Sequence, residues 1–177
     1  MQSEPKIIII LLGRRGAGKT TTANSLQTTH NYRHIEMSQI MKLLQNENNS
    51  NNLILRRFVE NMHRIQSKYF AVKYLYENNY IVDNKIVVTG IRNIDEVNYF
   101  YKACPNYKIY LFYINCPFFL RYFRTRKRKD RNSFLQFFIE EYYSIKWGDY
   151  QLKKISQIIS CNNSPIHVVN NILSYTN

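Results

Sequence analysis

The chain has 177 residues, 45% of them hydrophobic, and a formal net charge of +13 at pH 7, which suits one compact domain over residues 1–177 with a substantial core. No stretch approaches the roughly 18 apolar residues that cross a bilayer, and the start lacks the small-residue cleavage pattern of a secretory signal, so neither a membrane-spanning nor a secreted class is predicted. The three cysteines, Cys104, Cys116 and Cys161, are odd in number and too widely spaced for a redox pair or a zinc knuckle, which predicts reduced thiols in a cytoplasmic setting.

Lys6 to Leu12 is an aliphatic run without alternation, as expected of a strand covered on both faces in a parallel sheet. A glycine loop follows, then a helix over Thr20 to Gln27 and a short strand from Arg33 to Met37. Asn46 to Asn52 has the composition of a loop. Between Leu53 and Asn79, Leu55, Val59, Met62, Ile65, Tyr69, Val72 and Tyr76 recur at helical spacing and predict one long amphipathic helix, with room for an interruption. Lys85 to Thr89 reads as a strand, Ile94 to Lys102 as a helix, and Tyr107 to Asn115 as a strand ending at Cys116-Pro117. Helix resumes from Pro117 into a basic run, and Ser133 to Trp147 carries a second amphipathic pattern that Gly148 stops. Ile155 to Ser160 is the last predicted strand and Ile166 to Tyr175 the closing helix. Strands alternating with helices predict an α/β fold of three layers, a parallel sheet of about five strands with helices on both faces.

The segment Gly13-Arg14-Arg15-Gly16-Ala17-Gly18-Lys19-Thr20 satisfies G-x-x-x-x-G-K-[ST], with a strand before it and a helix after it. Each part has a physical task. Gly13, Gly16, Ala17 and Gly18 let the backbone wrap a phosphate chain with N–H groups pointing inward, and the helix start adds its partial positive charge. Lys19 spans the β- and γ-phosphates, the Thr20 hydroxyl ligates Mg²⁺, and Thr21 reaches the α-phosphate. The pattern predicts a site for the phosphates of ATP or GTP in a P-loop NTPase fold.

The extra glycine at Gly16 gives G-x-x-G-x-G-K-T, which resembles the nucleoside monophosphate kinase group of P-loop proteins. Met37-Ser38-Gln39-Ile40-Met41-Lys42 is similar to the segment after the second strand in adenylate kinase-like proteins. Val87-Val88-Thr89-Gly90-Ile91-Arg92-Asn93, with Glu96-Val97, resembles the Asp-Gly-Ile-Arg…Glu-Val segment of an archaeal-type family that is dephospho-CoA-kinase-like and adenylate-kinase-like. Arg121, Arg124, Arg126, Arg128 and Asp130 resemble that group's arginine-rich lid, placed over about residues 118–135, and Ser160 to Pro165 its adenine loop. The resemblance implies ATP-dependent phosphoryl transfer with Mg²⁺ to a small phosphorylated acceptor, a nucleoside or deoxynucleoside monophosphate. It implies catalytic roles for Lys19, Arg92, Arg124 and Arg128, with Arg92 on the acceptor phosphate, and donor contacts from Arg124 and Asn162.

Seven of the eleven residues from Arg121 to Arg131 are basic, so the segment cannot be a buried helix unless an anion lies against it. A lid over ATP supplies one; a solvated basic face or a nucleic-acid patch is the alternative. The acid usual before Gly90 is replaced by Thr89, and Gln39 stands where relatives have Asp. Magnesium must then use Thr20 with Glu36, Asp95 or Glu96, and Glu36 is favoured because it ends a strand at the carboxyl edge of the sheet. A plain ion pair for Glu36 stays open. So do a kinase acting on nucleic acid, which the +13 charge suits, and a weakened module that only binds nucleotide. The four histidines show no metal-ligand spacing. Phe134, Phe137, Phe138, Tyr142 and Tyr143 follow helical spacing and read as core. Oligomeric state is not legible.

Overall fold

The computed structural model describes residues 5–50, 54–127, 133–161 and 164–176. Five strands, β1 (Ile7–Leu12), β2 (Arg33–Glu36), β3 (Lys85–Thr89), β4 (Lys108–Asn115) and β5 (Gln157–Ser160), form one parallel sheet in the order β2-β3-β1-β4-β5. The central strand β1 is buried along its whole length because alternate residues enter two different cores. Ile8, Ile10 and Leu12 pack with Ile86, Val88, Phe58, Phe70 and Phe100 on one face. Ile7, Ile9 and Leu11 pack with Leu26, Val87, Phe112 and Ile172 on the other. Each such buried aliphatic side chain contributes about 1.5–3 kcal/mol, which is why the unalternated run is a strand with helices on both sides.

Nine helices connect and cover the strands among the described residues: α1 (Lys19–His30), α2 (Met37–Glu47), α3 (Leu55–Ile65), α4 (Phe70–Glu77), α5 (Ile94–Ala103), α6 (Phe118–Arg126), α7 (Phe134–Lys146), α8 (Asp149–Lys154) and α9 (Pro165–Thr176). The strand and helix order predicted from the sequence is present, with three differences. Helix α2 begins directly at the end of β2, burying Met37, Ile40, Met41 and Leu44, so Asn46 and Glu47 close a helix; residues 51 and 52 of the expected loop lie outside the described residues. The long amphipathic stretch is two helices, broken after Ile65, where Gln66 leaves helical geometry at φ −110 and ψ −80. Helix α8 is a single short element that Gly148 starts from the left-handed region, at φ 104.

The cysteine expectation is corrected. Residues 45 apart in sequence, Cys116 after β4 and Cys161 after β5, are brought to adjacent strand ends with Cα atoms 5.1 Å apart and are disulfide-bonded, while Cys104 stays free and buried. Spacing along the chain missed the pair because the parallel sheet, not local sequence, sets that distance. The aromatic expectation is corrected too. Only Phe137 is fully buried; Phe134, Phe138 and Tyr142 are 48%, 47% and 63% exposed on the outer side of α7.

Candidate active site

The glycine loop runs from the end of β1 into α1, at the carboxyl edge of the sheet where parallel α/β folds bind ligands. Gly13, Gly16 and Gly18 have φ of 127, 79 and 105. Two of them also sit against other backbone. A Cβ on Gly13 would meet the Ile114 carbonyl oxygen at 2.6 Å, and one on Gly16 the Arg121 carbonyl oxygen at 2.6 Å. Glycine is therefore required both for the turn and for wedging the loop against the end of β4 and the start of α6. Gly18 caps α1 without a side-chain hydrogen bond, so the first N–H groups of the helix have no side-chain cap and face the loop interior. The Lys19 ammonium donates to the Gly13 carbonyl at 2.5 Å and the Arg14 carbonyl at 3.1 Å, holding it across the loop. Ala17 is buried, while Thr20 and Thr21 stand in the first turn of α1.

Arg14 and Arg15 of the loop point away to acids on α7 and α8. Arg14 Nε donates to Asp149 at 2.7 Å and Nη1 to Glu141 at 3.1 Å, and Arg15 pairs with Glu140 at 3.4 Å. Burial pulls the Arg14 guanidinium downward, but the bond to Asp149 and the fields of Asp149 and Glu141 outweigh it and raise it well above its usual value. Behind the loop, Arg121 is buried at 3% exposure and forks onto both oxygens of Glu141, at 2.5 and 2.7 Å, while its Nε donates to the Cys116 carbonyl at 3.0 Å. The anion that the basic segment needs is thus Glu141 for its first arginine. A cavity of about 170 Å³ touches Arg14, Tyr113, Cys116, Arg121 and Lys153 in this network, small beside the roughly 300–1,000 Å³ of ordinary ligand pockets.

The remaining lid residues are placed unevenly. Arg124 points to the disulfide, with Nη1 3.5 Å from Cys116 Sγ and Nη2 3.5 Å from the Cys161 carbonyl. Arg126 is exposed. Arg128 and Asn162 lie outside the described residues.

At the ends of β2 and β3, Glu36 and Thr89 are register partners, and Thr89 is in turn the partner of Leu11 on β1. Glu36 is half-buried and accepts from Ser38 Oγ at 2.9 Å, with no cation paired to it among the described residues. The Thr89 hydroxyl meets His34 Nε2 at 2.9 Å, and His34 Nδ1 lies 3.2 Å from Asn24 Oδ1. Burial lowers the His34 pKa, with Glu36 pulling the other way, so the ring is a neutral hydrogen-bonding partner here. Gln39 is exposed in the first turn of α2. Among the described residues no cluster of three or more His, Cys, Asp or Glu could cage a metal. A hydroxyl and one carboxylate do suit Mg²⁺, which keeps several waters and takes few protein ligands.

The other two acids considered for magnesium have different partners. Asp95 is half-buried and faces Lys68 at 3.8 Å. Glu96 is buried and closes a capping box on α5, accepting from the backbone N–H of Arg92 at 2.7 Å and of Asn93 at 3.2 Å while Asn93 Oδ1 accepts from Glu96 N. Burial pushes its carboxyl up to about 7, against the pull of those N–H groups and of Arg92. A carboxyl raised above its ordinary 4.5 holds its proton more tightly folded than unfolded. Its contribution to stability is complete below that ordinary value and is lost as pH rises through the folded one. Glutamine does not titrate, so the unfolding free energy of E96Q relative to wild type, measured by denaturant unfolding, is expected to climb from about pH 5 to about pH 7.5, reaching about 3 kcal/mol in its favour. A flat difference across that range contradicts the assignment.

Arg92 follows β3 at the same edge. It is exposed, its guanidinium lies 4.9 Å over the Trp147 ring, and the charges of Glu140 and Arg15 reach it. Arg56 of α3 lies 4.2 Å over the Tyr143 ring. The sequence reading found Arg92 but not Arg56, and took Trp147 only as a helix end. The i,i+4 spacing of Tyr143 and Trp147 on α7 was the available signal.

The sheet order, the covered central strand and the glycine loop define a P-loop NTPase fold of the kinase type. The chain belongs to the AAA domain family, whose match spans residues 9–141. No curated protein matches it. Among solved structures, a gluconokinase from Sinorhizobium meliloti 1021 is similar with a TM-score of 0.63 at 10% identity, covering 97% of this chain and 92% of that one. The shikimate kinase from Aquifex aeolicus vf5 is similar with a TM-score of 0.57 at 16% identity, covering 96% of each chain. TT1252 from Thermus thermophilus gives a TM-score of 0.65 at 14% identity, covering 98% of this chain and 97% of that one. No helix among the described residues is long and apolar enough to cross a membrane.

Proposed function

We propose that residues 1–177 form one kinase domain that transfers the γ-phosphoryl group of ATP, with Mg²⁺, to a small acceptor that is itself phosphorylated, a nucleoside or deoxynucleoside monophosphate. The observation that carries this reading is the loop itself, with three left-handed glycines, an uncapped helix start and the Lys19 ammonium held across the turn. An oxygen of the acceptor phosphate attacks the γ-phosphorus as the bond to the β,γ-bridging oxygen breaks, and ADP leaves with that electron pair. No proton must be removed from an anionic acceptor, so the absence of a carboxylate at Thr89 is no obstacle. Lys19 and the N–H groups of the loop balance the charge on the moving phosphoryl, and Arg92 orients the acceptor. Thr20 and Glu36 are the residues that would hold Mg²⁺, which would supply positive charge toward the triphosphate. Arg124 lies beside the strand ends that lead into the donor-base loop, and the arginine-rich stretch over about 118–135 acts as the lid. The fold neighbours support phosphoryl transfer to a small molecule rather than to nucleic acid.

A coupled ADP-release screen tests this, over nucleoside and deoxynucleoside monophosphates, dephospho-CoA, an oligonucleotide, and gluconate and shikimate after the neighbours' names. Turnover with a monophosphate and not with the two carboxylates is the expected result. Turnover confined to gluconate, shikimate or the oligonucleotide replaces the acceptor class.

A further inference from the structure

Helices α6 and α7 meet through their aromatic residues, Phe118 with Phe137 and Phe138 at 5.2 and 5.4 Å and Tyr122 with Phe134 and Phe137 at 5.1 and 5.5 Å. That seam accounts for one side of each helix and leaves a second apolar side outside it. On α7, Phe134, Leu135, Phe138, Ile139, Tyr142 and Ile145 are all exposed, Leu135 by 70%. At about 100° per residue they fall within roughly 140° of the helix circumference, a continuous stripe. On α6, Phe119 and Phe123 stand one turn apart and are 69% and 55% exposed. Single exposed hydrophobic side chains are ordinary, but a stripe shared by two packed helices marks a surface that meets something other than water.

The charge on this face has one sign. No Asp or Glu stands between Phe118 and Lys127 or between Phe134 and Ile139. The exposed row of α6 continues from Phe123 into Arg126 and Lys127, one turn on and also exposed. The two acids of α7 do not offset them, because Glu140 is paired with Arg15, and Glu141 with Arg14 and Arg121, toward the glycine loop. The ion pairs that brace the loop therefore have a second effect. They withdraw from the outer face the carboxylates that an anionic partner would repel.

We infer that the outer face of α6 and α7 docks on an anionic phospholipid surface, with Phe119, Phe123, Leu135 and Tyr142 entering the headgroup region and Arg126 and Lys127 meeting the lipid charges. An apolar stripe flanked by cations is what binds at such an interface, where apolar burial and attraction to anionic lipid add. The attachment is peripheral, since no helix among the described residues is long and apolar enough to cross a membrane. Two other occupants fit this face less well. Single-stranded nucleic acid stacks its bases on aromatic rings, but Leu135, Ile139 and Ile145 make up half of the α7 stripe and offer no ring. A second copy of a chain with net charge +13 would bring two basic rows together, and like charges set side by side oppose association. The inference does not depend on the kinase reading.

Co-sedimentation of the full chain with lipid vesicles tests it. Vesicles of phosphatidylcholine with about 30% phosphatidylserine are expected to bind at least about 10-fold more tightly than phosphatidylcholine alone, and the difference is expected to shrink as salt is raised from about 0.1 M to about 1 M. Leu135→Ser combined with Tyr142→Ser is expected to lower the partition coefficient about 10- to 100-fold. Arg126→Ala combined with Lys127→Ala is expected to lower it about 10- to 30-fold on the anionic vesicles and to leave the neutral ones unchanged. Tyr101→Ser, at an exposed aromatic residue on α5, is expected to bind as wild type. Wild-type circular dichroism and unfolding temperature show that each variant is folded, and if the Leu135 and Tyr142 double variant is not, Tyr142→Ser alone decides in the same assay. No vesicle binding by wild type, equal binding to the two compositions, or undiminished binding by the Leu135 and Tyr142 variant overturns the inference. A dimer in sedimentation equilibrium, or binding of an oligothymidylate, that this variant loses while wild type ignores vesicles also overturns it and gives the face to a second copy or to nucleic acid.

Discussion

Glu141→Ala is expected to cost about 3–5 kcal/mol of folding stability, the usual effect of removing one partner from a buried ion pair. The side chains of Arg121 and Glu141 are only 4% and 8% exposed, and their two-pronged contact is joined by Arg14 on the same Glu141 oxygen. Alanine leaves the Arg121 guanidinium buried, and arginine cannot shed its proton to escape the cost. Asp149 does not replace the lost charge, since its two oxygens already accept from Arg14 and from the Tyr113 hydroxyl at 2.9 and 3.0 Å. Guanidinium chloride unfolding measures the effect. Arg33→Ala, which breaks the exposed pair with Asp83, is the comparison and is expected to change stability by about 1 kcal/mol or less. A Glu141→Ala loss no larger than that contradicts the buried-pair account.

The same contacts turn the two arginines inside the glycine loop toward α7 and α8. Arg14 and Arg15 tie the loop to α7 and α8 through Glu141, Asp149 and Glu140, and the Gly16 backbone rests on the Arg121 carbonyl. The loop is therefore braced from behind by ion pairs while its N–H groups and Lys19 face forward. Part of the charge in this region is internal bracing, and residue type alone does not mark which part.

That division marks where the sequence is legible. The central strand, the glycine loop and the closing helix could be read because each is a local pattern whose meaning depends on neighbouring residues. Helix α2 was hidden because its first turn reads as a motif rather than as a buried face. The break after Ile65 carries no glycine or proline to announce it. The Cys116 to Cys161 bond, the Arg121 to Glu141 fork and the stacking of Arg56 on Tyr143 all join residues distant in sequence, and only the parallel sheet and the packing of α7 bring them together. The exposed side of α7 was misread as core because helical spacing of aromatic residues shows that they share a face, not what that face meets.

Lys19→Ala is expected to lower the phosphoryl-transfer rate about 10²- to 10³-fold, or about 3–4 kcal/mol of transition-state stabilisation, the scale found when one preorganised charged donor is removed. Folding is expected to be nearly unaffected, because Lys19 is only half-buried and its bonds to the Gly13 and Arg14 carbonyls can be replaced by water once the ammonium is gone. The two effects separate on measurement. Stability is read by unfolding, and the kinetic loss is divided between kcat and KM. An ammonium that follows the phosphoryl as charge builds on it acts in kcat, whereas one that only anchors the ground-state triphosphate acts in KM. Lys19→Arg keeps the charge but replaces a compact ammonium with a planar fork, which does not fit between the Gly13 and Arg14 carbonyls in the same way, so it is expected to rescue binding more than rate. Undiminished turnover in Lys19→Ala would place the phosphates somewhere other than this loop, and a loss confined to KM would leave the loop as an anchor and move the catalytic charge to the arginines around it.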